Sequence, residues 1–137
     1  MSRPPRKPFL FVALGLVLIH LIISILHGRA HDGAMVTLNT FGYVYVIVVI
    51  TLAPLVAAAL LFTRKQRTGA LLLTLSMLGS LIFGFWYHFL SSTNDNVTQV
   101  HGAWHSTFLW TAIALAVIEL SGTLVGLWIY RSSSVGA

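Results

Sequence analysis

His27-Gly-Arg-Ala-His31 closes one apolar run of this chain, and His101-Gly-Ala-Trp-His105 opens another. On a helix, residues four apart share a face, so either pair can turn two imidazole nitrogens toward one ion. His88 ends a third apolar run, and Asp32 adds an oxygen donor beside His31. Five of the six histidines are thus gathered at the ends of apolar segments. Such a supply of neutral nitrogen donors suits zinc, copper(II) or non-haem iron. Copper(I) prefers sulfur and would find only Met35 nearby. The spacing makes His27, His88 and His105 the inner donors, with His31 and His101 one turn further out and Asp32 available as an oxygen donor.

Haem b is the other cofactor these histidines could serve. A four-helix bundle can hold haem between two facing histidines, and His27 with His88 or His105 would supply them. Arg29 would then face a propionate, and Gly28 and Gly84 would relieve crowding. No CxxCH occurs, so such a haem would be non-covalent. Membrane desaturases and hydroxylases also use H-x3-H pairs, but the resemblance is slight. Those enzymes need more histidines and carry them on the cytoplasmic side.

The elements that must position these side chains follow from composition. Hydrophobic residues make up 57% of the chain and charged residues 8%, and the mean hydropathy is +0.88. These values lie far from those of water-soluble domains. Four windows are long and apolar enough to cross a bilayer as helices: Phe9–Leu26, Tyr43–Phe62, Ala70–Leu90 and Ser106–Tyr130. Their connections are too short for a further domain, so residues 1–137 read as one integral-membrane four-helix bundle. The chain has no cysteine, which removes disulfides and thiolate ligation.

Basic residues set the expected orientation. Arg3, Arg6 and Lys7 precede the first span, Arg64, Lys65 and Arg67 join the second and third, and Arg131 follows the fourth; only Arg29 lies on the other side. Both termini are expected inside, with the histidine cluster on the outer face of a bacterial or archaeal cytoplasmic membrane. The net charge of +5 is accounted for by this asymmetry and calls for no nucleic acid. The first segment also has the outline of a secretory signal, with Gly28-Arg-Ala30 as a loose cleavage site. Its apolar run exceeds the usual ~7–15 residues and contains His20, so it reads as a retained span.

His20 and Glu119 are the only ionisable groups deep within the spans. Each is twelve residues from the basic end of its helix, about 18 Å at the helical rise, so the two are level. A structural hydrogen bond between them is the expectation, and a proton-carrying pair the alternative. Small and polar stripes, including Ser76, Ser80, Gly84 and His88 on the third span, should face the bundle interior. Gly122 and Gly126 form a GxxxG patch that could pack helices or seat a homodimer. The bulky second span reads as a packing wall that Pro54 should kink. Asn94-Asp95-Asn96 reads as a solvated turn, and Asn96-Val-Thr98 matches a glycosylation sequon.

No phosphate loop, nucleophile elbow or catalytic carboxylate pair is present, and nothing calls for catalysis by the chain alone. Two functions remain. One is binding of a transition metal or haem for metal handling or electron transfer. The other is a small accessory subunit packed against larger membrane partners.

Overall fold

The computed structural model describes residues 7–133, so Arg3 and Arg6 lie outside the described residues. All regular structure among the described residues is helical, and four helices are long and apolar enough to cross a membrane: Lys7–Gly33, Thr40–Leu61, Gln66–Leu90 and His105–Ser132. The first and last run beyond their apolar windows at both ends, where His27, His31 and Asp32 continue the first helix and His105 begins the last; the second and third start earlier than expected, and the second ends at Leu61, one residue short of Phe62. The first is α1 (Lys7–Gly33). The second comprises α2 (Thr40–Tyr45), a π-helical stretch over Val46–Leu52, and α3 (Ala53–Leu61). The third is α4 (Gln66–Phe85) closed by a π-helical turn over Trp86–Leu90, and the fourth is α5 (His105–Ser132).

Proline explains the irregular second helix. Pro54 has no N–H, and its ring would press on the carbonyl four residues earlier. The helix ahead of it widens into π-type bonding, with Ala53 N–H donating to Val48 O. The start of this helix is fixed by Asn39, whose side chain accepts from Gly42 N–H at 2.8 Å.

Up-and-down connectivity puts Lys7, Arg64, Lys65, Arg67 and Arg131 at one end of the bundle and His27, His31, His88 and His105 at the other. α4 packs on α5 and α3, and α5 packs on α1. Close approach there depends on small residues. A Cβ on Gly126 would stand 2.7 Å from Thr74 Oγ1, and one on Gly69 would stand 2.8 Å from Leu61 N. Gly122 likewise faces Met77, so the GxxxG patch is spent on the α4–α5 seam within the chain. α1 touches α3 only sparingly, and it leaves the histidine-end half of the second helix almost uncontacted.

The basic half is filled by an apolar core that includes Ala13, Val17, Leu61, Leu73, Met77 and Ile129. A smaller core of Ala30, Val36, Val97, Val100, Phe108 and Ala112 draws the two connecting loops over the histidine end. His20 and Glu119 are buried between the two cores.

Candidate metal centre

Three histidines from two helices meet beneath the loops of the histidine end. His27 and His31 sit one turn apart on α1, and His88 lies in the π-helical turn that closes the third helix. Their rings form a closed group, with centroids 4.8 Å apart for His27 and His31, 4.7 Å for His27 and His88, and 5.7 Å for His31 and His88. Phe108, fully buried on α5, lies against all three at 4.9, 4.8 and 5.3 Å. It packs them into one arrangement.

Each ring is also oriented by its Nδ1. Thr111 Oγ1 donates its single proton to Thr107 O at 2.6 Å, so toward His27 Nδ1–H, 2.8 Å away, it acts as acceptor. His31 Nδ1–H donates to Val36 O at 3.2 Å, and His88 Nδ1–H donates to Asp95 O at 3.1 Å. With all three protons held on Nδ1, the neutral rings present bare Nε2 lone pairs to one another. His27 Nε2 stands 3.0 Å from His88 Nε2 and 3.2 Å from His31 Nε2. Tetrahedral zinc with Zn–N near 2.0–2.1 Å holds neighbouring nitrogens about 3.3–3.4 Å apart. The two spacings from His27 are therefore close to those of ligands around one ion, all three donors lie within 4.8 Å of one another, and their backing by oxygen acceptors is what metal-bound histidines require. His27, His31 and His88 could hold a metal ion.

Haem fits this geometry poorly. Axial nitrogens on opposite sides of an iron, about 2 Å each from the metal, stand about 4 Å apart with a macrocycle between them. His27 and His88 are 3.0 Å apart at Nε2, with no slot for such a ring.

The remaining sequence candidates fall elsewhere. Gly102 adopts φ +83°, a left-handed turn that an α-helix cannot continue through, so α5 begins at His105 and His101 is left exposed in the loop. His101 and His105 consequently do not share a helical face. His105 is outside the three-histidine group, and its Nδ1–H donates to Val100 O at 2.7 Å, holding the loop against the helix. Asp32 is exposed at the rim of a cavity of about 360 Å³. That cavity is lined by the three histidines, Gly84 and Glu119 among others. Deeper in, His20 Nε2–H donates to Glu119 Oε1 at 3.1 Å.

Three participants escaped sequence reasoning. Phe108 and Thr111 are ordinary residues of an apolar helix, with no signal beyond their place one and two turns after His105. Asp95 is the larger surprise. It is buried rather than solvated, and its Oδ1 lies 3.1 Å from His88 Nδ1 and 3.4 Å from His31 Nε2. The neighbouring Asn96 explains the fold of this loop. Its side chain donates to Ser91 O at 2.7 Å and accepts from Thr98 N–H and Thr98 Oγ1–H. Val97 N–H then ties the loop to His88 O at 2.9 Å. Asn96 is buried in this role, so the sequon has no free amide to offer. No protein-family model, curated protein or solved structure matches the chain.

Proposed function

We propose that this is an integral membrane protein that binds one transition-metal ion through His27, His31 and His88, for metal handling or electron transfer. The observation that carries this reading is the convergence of three bare Nε2 atoms, each on a ring whose Nδ1–H is already committed to oxygen. Facing lone pairs repel, and a cation between them removes the repulsion. Zinc, copper(II) and non-haem iron accept such donors. The excess of basic residues at the opposite end favours an orientation with both termini in the cytoplasm and the centre at the outer face, in a bacterial or archaeal cytoplasmic membrane.

Elemental analysis and an absorption spectrum of the chain purified in detergent without chelators test the proposal. About one metal ion per chain and no Soret band are expected. Alanine at His27, His31 or His88 should abolish the metal, and alanine at His101 should leave it in place. Wild-type protein without metal, and unable to take it up, would sink the reading and leave the accessory-subunit role.

A further inference from the structure

Asp95 is 5% exposed, and neither of its side-chain oxygens carries a hydrogen bond. A buried carboxylate without a partner is expensive in apolar surroundings. Among the described residues the ionisable side chains within 4 Å of it are two histidines, His31 and His88. His88 Nδ1–H is directed at the backbone carbonyl of Asp95. His31 has given its Nδ1–H to Val36 O, so the atom facing the carboxylate is a bare Nε2, itself an acceptor. Two acceptors 3.4 Å apart gain nothing from each other without a cation.

We propose that Asp95 is the fourth protein donor of the centre, completing a three-histidine, one-carboxylate set for a divalent ion of the zinc or non-haem iron type. The proposal rests on the metal-binding reading of His27, His31 and His88. Metal–nitrogen and metal–oxygen bonds of about 2.0–2.2 Å set adjacent tetrahedral donors about 3.3–3.6 Å apart. His31 Nε2 is flanked at 3.2 Å by His27 Nε2 and at 3.4 Å by Asp95 Oδ1. Asp95 Oδ1 also lies 3.1 Å from His88 Nδ1, on the ring edge away from Nε2, so the carboxylate must swing toward the Nε2 atoms to reach the ion. One anionic oxygen also offsets half the charge of a buried dication, and a hard donor disfavours copper(I). The loop is built to deliver it, because Asn96 locks the turn and Val97 pins it to His88. Asp32, the carboxylate adjacent to His31 in sequence, is exposed at the rim of the cavity.

The test uses the full chain in detergent, stripped of metal and titrated with Zn(II) against a chromophoric chelator. Wild type should bind one Zn(II), and the isosteric Asp95→Asn should bind it more than about a hundredfold more weakly, beyond the roughly 10–100-fold that loss of an outer-shell partner costs. The metal-free Asp95→Asn protein should melt no lower than wild type, since an unbonded buried charge has been removed, while its stabilisation by Zn(II) should shrink. A loss of affinity below about a hundredfold overturns the assignment and leaves the three-histidine reading intact. So does a loss on Asp32→Asn with none on Asp95→Asn. Failure of wild type to bind Zn(II) overturns both. Should metal-free Asp95→Asn melt lower, Asp95→Glu decides: tighter Zn(II) binding than the asparagine variant supports the donor role, and equal binding overturns it.

Discussion

Glu119→Leu should destabilise the bundle by about 1–2 kcal/mol, and Glu119→Gln by less than half as much. His20 and Glu119 lie on α1 and α5, are 2% and 3% exposed, and are joined by one hydrogen bond of 3.1 Å. Interhelical hydrogen bonds in membrane bundles average about 0.6 kcal/mol and reach about 1.7. Leucine removes the acceptor and strands His20 Nε2–H, and an unsatisfied buried group costs about 1–3 kcal/mol. Glutamine keeps an acceptor oxygen at similar reach, so the bond survives. The assay is a double-mutant cycle with His20→Leu, followed by equilibrium unfolding in mixed detergent micelles with tryptophan fluorescence as the probe. The double variant should cost less than the sum of the singles, with a coupling near 1 kcal/mol. A coupling of zero within error would show that the two side chains are neighbours without being partners, and the argument from burial would fail with it.

On a chain that has no cysteine of its own, Gln99→Cys should react with an impermeant thiol reagent on intact cells and Lys65→Cys should not; the reverse pattern would invert the proposed orientation. Gly126→Val should cost about 1–3 kcal/mol by overpacking, because even a Cβ would stand 2.7 Å from Thr74 Oγ1 and 3.0 Å from Thr74 N; unchanged unfolding would mean that the α4–α5 seam is looser than it looks. Saturating Zn(II) at about one hundred times its dissociation constant should stabilise wild type by about 2.7 kcal/mol and the His27→Ala variant not at all, and equal shifts would place binding elsewhere on the chain.

The four helices were legible because a bilayer-length apolar run leaves the backbone only one economical way to satisfy itself. Helix ends were less so. Lys7, His31 and Ser132 carry helices past the apolar windows because polar residues can continue a helix as well as end it. Spacing within one helix was equally readable: His27 and His31 share a face of α1, and His20 stands level with Glu119 across α1 and α5. The stripe Ser76, Ser80 and His88 is buried, although its last turn is π-helical and not α.

Where the reading broke, the cause was backbone that lies outside any periodicity. The His101/His105 pair needs a continuous helix, and one glycine at φ +83° removes it. Asp95 was hidden for the opposite reason: Asn94-Asp-Asn96 has the composition of a solvated turn, and nothing local to it says that Val97 and Val100 will be buried beside Phe108. That small apolar core turns the loop inward, the Val97 N–H to His88 O bond fixes its register, and the carboxylate two residues earlier is carried to the histidines. The polar turn is therefore positioned by its apolar neighbours. The same packing predicts a graded effect of Val97→Asp, which puts a second charge into that core. Loss of metal in this variant, with the helices still formed by circular dichroism, would show that the loop and the centre are one cooperative unit. Metal retained at wild-type affinity would show that the histidines bind without the loop.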